Sequence, residues 1–160
     1  MDSNKKILFS LLGSLALVIL AITVKAVWTK YRDSKNINTI KVGDSTLQVD
    51  VADSPFRRMK GLSGLENLPE DEGLLMLFKE KDTPTIWPKN LKFPIDIVWI
   101  DDSTVVGVEK GATAESSLVL DGIKLYIPEQ PINRVLQINA GLADKLNIGP
   151  GRWIDINLGK

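Results

Sequence analysis

The chain has 160 residues, with 20 Lys and Arg balancing 20 Asp and Glu, and it contains neither Cys nor His. Without Cys there is no disulfide, thiol nucleophile or thiolate metal site, and without His there is no Ser-His-Asp triad, imidazole base or imidazole metal ligand. Chemistry would fall to Asp, Glu, Lys, Arg, Ser, Thr or Tyr; any metal would be a hard cation on oxygen, and neither a metal nor a cofactor is expected.

Residues 1–6 are a short leader carrying Lys5 and Lys6. From Ile7 to Val24 the chain is apolar and uncharged. At a helical rise this run covers roughly 27 Å, about the hydrocarbon thickness of a bilayer. Its length favours an uncleaved transmembrane anchor over 7–27. A cleaved signal peptide is the alternative, with an apolar core of about 7–15 residues; Val24-Lys25-Ala26 is a weak match to its cleavage site. Lys25, Lys30, Arg32 and Lys35 follow the run, and a bare count of Lys and Arg would hold that side in the cytoplasm. A short lysine-led segment before a single domain is instead the layout of an exported protein. Export is the expectation, with the chain held in the cell membrane by one pass.

Residues 28–38 are polar and aperiodic and read as a tether; 39–160 are long enough for one β-rich domain. The first 35 residues carry six Lys and Arg against two Asp and Glu, so the remainder is mildly acidic and has no basic run. That argues against nucleic acid, which needs a positive footprint.

Within the domain, Thr39–Val42 and Thr46–Val51 read as a hairpin, with Leu47, Val49 and Val51 alternating against Gln48 and Asp50. Asp53-Ser54-Pro55 starts a helix over Pro55–Leu62 that stops at Gly64. Leu74–Phe78 is an apolar strand and Lys79–Thr85 a polar loop. Pro88 makes Trp87–Asn90 irregular. Ile95–Ile100 and Thr104–Glu109 are antiparallel strands around Asp101-Asp102-Ser103. Residues 111–122 carry the least pattern. Tyr126–Pro131 leads to a strand over Arg134–Ile138, Asn139 caps a helix over Gly141–Leu146, and Gly149-Pro150-Gly151 turns the chain into a last strand, Arg152–Asn157. Many short strands with two short helices predict a mainly β fold, a sandwich or partly closed barrel, preceded by one transmembrane helix.

Four stretches in this order resemble a prokaryotic family known as domain of unknown function 192: Val51–Pro55 through Arg58–Leu62, Leu68–Leu75, Trp87–Asn90 through Pro94–Asp101, and Val135–Gly141. Together they span about residues 47–157. The resemblance implies a compact β-rich domain, often behind a signal peptide or anchor, and no activity. The chain departs from the family pattern at Ser63, where Met is usual, at Pro88 and Leu91, where Met and Thr are usual, and at Gln137, where Glu is usual.

Four residues are candidates for a ligand site. Asp96 sits in a nearly apolar strand and shares a face with Val98 and Ile100; a carboxylate there must be paired or have a raised pKa. It is either an acid/base or ligand-binding group, or a buried partner of Lys89, of Arg58 or of loop N–H groups. Lys89 and Asn90 stand at a loop mouth, as a polar site or as loop pins. Arg58 and Lys60, two apart, do not share a helix face. Trp87 and Trp99 are core residues or the lining of a glycan or peptide groove. Glu70-Asp71-Glu72 reads as a solvated turn before a Ca²⁺ site. The expected function is a ligand- or protein-binding module of the cell envelope, its partner an envelope protein, a glycan or a small polar ligand. The alternative is a glycosidase-like hydrolase using Asp96 with Lys89 or Arg58.

Overall fold

In the hairpin predicted at the start of the domain, β1 (Thr39–Val42) and β2 (Ser45–Ala52) pair antiparallel with Thr39 opposite Gln48 and Val42 opposite Ser45. Gly43, at φ +60°, supplies the left-handed backbone of the turn. Leu47 and Val49 are buried while Gln48 and Asp50 are exposed, as alternation requires. The computed structural model describes residues 38–114 and 124–159. The anchor expected over 7–27, the tether before residue 38 and most of the least patterned stretch lie outside the described residues. Among the described residues no helix is long and apolar enough to cross a membrane.

Helix α1 (Pro55–Lys60) begins as the sequence predicts: Ser54 Oγ accepts the Arg57 N–H at 3.3 Å, and Pro55 occupies the first turn. It ends at Gly61 rather than after Leu62, because Gly61 takes φ +52° and ψ −138°, a backbone conformation open essentially to glycine. The crossover through α1 delivers β3 (Glu72–Asp82) parallel to β2, with Asp50 opposite Leu74. β3 runs well past the apolar stretch 74–78. Its polar end reaches β6 (Ile132–Asn139), where Asp82 stands opposite Ile132 after a register shift beyond Leu77.

β4 (Ile95–Asp101) lies between β6 and β5 (Thr104–Ala112), antiparallel to both. The sheet order is β5-β4-β6-β3-β2-β1-β7. The last strand, β7 (Asp155–Asn157), is shorter than expected and pairs with β1. The residues just before it serve the opposite edge. Val105 N–H donates to Arg152 O at 2.8 Å, Gly151 N–H to Val105 O at 2.8 Å, and Ile154 N–H to Ser103 O at 2.9 Å. Residues 151–157 therefore join the two ends of the sheet, which curls into a partly closed barrel rather than a sandwich and leaves less exposed edge.

Apolar residues pack on both faces of this sheet. Ile40, Leu47, Leu75, Val98, Ile100, Leu136, Ile138 and Ile154 fill the inner layer. Leu74, Met76, Ile95, Ile97, Trp99 and Val135 form an outer layer, covered by Leu62, Ile86 and Tyr126. β4 is buried on both sides, which explains its nearly unbroken apolar sequence. The segment from Tyr126 to Pro131 is not a strand; it makes one bridge, Tyr126 to Ile86, and its prolines Pro128 and Pro131 cannot donate to a ladder.

The second helix, α2 (Leu142–Lys145), is one turn long. Asn139 does not cap it. Its Nδ2 donates instead to Leu68 O at 2.8 Å and Pro69 O at 3.1 Å, and Gly141, at φ +83°, holds the cap position. Asp96 supplies the acceptor that the cap lacks.

Candidate functional site

A cleft of about 550 Å³ opens on the outer face of the sheet. One wall is the C-terminal turn of α1 with residues 61–63; the other is the segment from Thr85 to Leu91. Gly64 N–H donates to Asn90 O at 3.3 Å and ties the two walls together. The floor is the outer layer itself, Met76 and Ile95, with Gln137 of β6 beside them. The walls are irregular because Gly61 ends the helix on one side and Pro88 forbids pairing on the other.

Three of the four residues singled out from the sequence meet here: Arg58, Lys89 and Asn90 all line the cleft. Arg58 is pinned from below. Its Nη1 donates to Asp53 O and Leu77 O, each at 2.8 Å, and its guanidinium stands 4.9 Å from the Phe78 ring centroid. It clamps α1 to β3 while contributing charge to the cleft. Lys89 Nζ lies 5.2 Å from the ring centroid of Trp87, a cation–π pair at the rim. Asn90 adopts φ +54°, a left-handed conformation that asparagine tolerates in turns.

Asp96 does not join them. It is fully buried and shares its face with the inner layer, whereas Ile95 faces the cleft. No cation among the described residues forms an ion pair with it. Oδ1 accepts the Gly111 N–H at 3.0 Å, and Oδ2 accepts the N–H groups of Gly141 at 2.9 Å and Ala143 at 3.1 Å. Of the roles open to Asp96 in the sequence, the geometry matches acceptor of loop N–H groups. The side chain fastens β5 at Gly111 and the start of α2 to β4, and no pairing with Lys89 or Arg58 forms.

The two tryptophans divide. Trp99 is core, and Gly107 lies so close that a Cβ there would come within 3.1 Å of its Cδ1. Trp87 is 44% exposed at the cleft mouth. Glu70 pairs with Lys145 at 3.2 Å, and Glu72 is part of β3.

Gln137 was not singled out as a site residue by the sequence reasoning, although its signal matches that of Asp96: a polar residue inside an apolar strand. It is only 4% exposed. Of the two buried side-chain oxygens without a hydrogen bond among the described residues, Oδ1 of Asp101 sits 2.6 Å from the Lys81 ammonium. That leaves Oε1 of Gln137 without a partner among the described residues. It lies beneath Gly61, where an added Cβ would be 3.7 Å from it.

The charge of the cleft is one-sided. Arg58, Lys60 and Lys89 line it together with Ser63, Thr85, Asn90 and Gln137, and no Asp or Glu is among the lining residues. Such a site attracts anions and disfavours cations. Ser63, Pro88, Leu91 and Gln137, the four departures from the family pattern, all belong to this lining.

Residues 38–156 match the family model of domain of unknown function 192 (DUF192), described as an uncharacterized ACR. Among similar solved structures are two that share the fold. One, a candidate transcription regulator from Sinorhizobium meliloti, is 25% identical with a TM-score of 0.66, over 74% of this chain and 91% of that one. The other, a protein of unknown function from Novosphingobium aromaticivorans, is 26% identical with a TM-score of 0.63, over 74% of this chain and 83% of that one. No curated protein matches the chain.

Proposed function

The chain belongs to the domain of unknown function 192 family, and on the geometry of its cleft we propose that it is a binding module of the cell envelope, held to the membrane by residues 7–27 with its β-rich domain outside the cytoplasm. The ligand site is the cleft between α1 and residues 85–91. The observation that carries this reading is the lining: three cationic side chains and several uncharged polar groups over an apolar floor, with no carboxylate among them. A few convergent polar groups in a mostly apolar concavity are the usual make-up of a small-molecule site.

The hydrolase alternative has less to support it, because its Asp96 lies away from the cleft that holds Arg58 and Lys89. A glycosidase needs two carboxylates flanking an open cleft, about 5–10 Å apart. Asp96 is closed off and engaged by three N–H groups, and the cleft offers no other carboxylate. The export half of the proposal rests on the lysine-led apolar run from Ile7 to Val24.

Two measurements test it. Protease added to spheroplasts removes the domain if it is exported; protection until lysis overturns the topology. A ligand screen on the ¹⁵N-labelled full chain in detergent, read on the Trp87 indole N–H, should find binders that shift this signal and lose affinity in Lys89→Ala. Binders that all map elsewhere overturn the cleft as the site.

A further inference from the structure

We infer that the cleft selects a carboxylate with an apolar body and one uncharged N–H donor, the chemistry of an N-acylated amino acid such as a peptide C-terminus, with Gln137 as the residue that recognises the donor. This rests on the reading of the cleft as a ligand site and names what enters it.

The argument begins with Oε1 of Gln137. A buried acceptor without a partner is costly, so something that enters the cleft is expected to supply a donor. A bare anion does not, because a carboxylate only accepts. A cationic donor does not fit either. An ammonium would have to shed water next to Arg58, Lys60 and Lys89, with no carboxylate in the lining to pair with. The donor is therefore neutral, and the anionic part of the same ligand lies toward the lysines.

The rest of the floor decides between an amide and a polyhydroxyl compound. Leu62, Met76, Ile86 and Ile95 are buried apolar side chains around the Gln137 amide. A sugar acid would bring several hydroxyls against a floor that is apolar apart from Gln137. An acylamino acid brings one N–H, one carboxylate and an aliphatic side chain, which is the inventory the lining can meet. Recognition then has three parts: the carboxylate near Lys60 and Lys89 at the rim, the amide N–H donating to Oε1 of Gln137, and the side chain against Met76 and Ile95.

Three small probes separate these parts on the full chain, by titration followed on the Trp87 indole N–H. N-acetyl-leucine carries all of them, 4-methylpentanoate lacks the amide N–H, and N-acetyl-leucinamide lacks the charge. N-acetyl-leucine should bind about 3- to 10-fold more tightly than 4-methylpentanoate, the worth of one hydrogen bond. In Gln137→Met that gap should close. N-acetyl-leucinamide should bind more weakly than N-acetyl-leucine, and the more so at low salt. A pentapeptide ending in leucine distinguishes the sources: tighter binding than N-acetyl-leucine assigns a protein C-terminus, and equal binding a free acylamino acid. If both acids bind the cleft equally in the native chain, the donor match at Gln137 is overturned while the binding module stands. If no probe shifts Trp87, the acylamino-acid assignment fails; only a screen in which every ligand also avoids the cleft removes the binding reading. The comparison in the native chain decides the matter even if Gln137→Met does not fold.

Discussion

Asp96 Oδ2 and Ala143 N–H are 3.1 Å apart, a hydrogen bond that spans 47 positions of sequence and fixes the start of α2 to β4. With Gly111 and Gly141 it gives one buried carboxylate three backbone donors.

Asp96→Ala strands those donors in the interior. The expected loss is about 3 kcal/mol, and more if the helix start detaches, since each buried unsatisfied group costs roughly 1–3 kcal/mol. Asp96→Asn keeps one acceptor but turns an amide donor toward one of the N–H groups, so it should lose less than alanine does. Thermal melts of the two variants check the order; an unshifted Asp96→Ala would show that the three bonds contribute nothing net.

Gln137 should behave in the opposite way. Replacing it with Met removes an unpaired buried oxygen at similar volume, and the ligand-free chain should gain about 1 kcal/mol. A residue that costs stability in the free protein is what a binding position predicts. Chemical denaturation without ligand measures it, and a clear loss on Gln137→Met would mean that the amide already has a partner.

Gly61→Ala should destabilise by about 1–3 kcal/mol through backbone strain alone. Its φ of +52° with ψ −138° suits glycine, and the added Cβ meets nothing closer than 3.5 Å. Gly73→Ala should cost a comparable amount for another reason. Its Cβ would come within 3.0 Å of the Gln137 main-chain oxygen, in packing that cannot relax cheaply. Urea midpoints of the two variants test both. A cleft ligand should be weakened by the first substitution, which reshapes the wall above Gln137.

At the β4–β5 turn, the Asn133 amide and then the Lys81 ammonium hold the Asp102 carboxyl below its ordinary value. Lys81 in turn is raised, chiefly by hydrogen bonds to Asp101 and Asp102. A carboxylate with a lowered folded pKa adds stability above its unfolded value, near 4, and loses it as pH falls through the folded one. Stability should therefore drop slightly on acidification below about pH 4, and Asp102→Asn should flatten that limb. The group is exposed, so the effect is small and fades in high salt. Denaturant midpoints between pH 2 and 6 read it directly.

Most of the barrel was legible because its signals are local. The alternation around Leu47 and Val49, the Ser54-Pro55 helix start and the unbroken apolar run of β4 each announce an element within a few residues. What escaped depends on distant partners. Nothing near Lys79–Asp82 shows that a polar segment continues β3, since its reason is Ile132 on β6. Arg152–Ile154 reads like the strand that follows, but its hydrogen bonds go to Ser103 and Val105. The same holds for the cleft. A polar residue in an apolar strand marks both Asp96 and Gln137, and only the face of the sheet on which each falls separates a fastened carboxylate from an unpaired acceptor.

Residues 151–157 join the first strand to the edge of the fifth, with Thr39 facing Asn157. The barrel therefore has no closed form until its final residues have left the ribosome. During synthesis the first hairpin waits beside an empty edge, and loop closure across nearly the whole domain comes last, which slows folding. Under the export proposed for this chain, that delay keeps it extensible during passage through a narrow channel. Cutting the chain before Gly151 should leave a species that keeps the β4–β5 hairpin but never reaches the cooperative state.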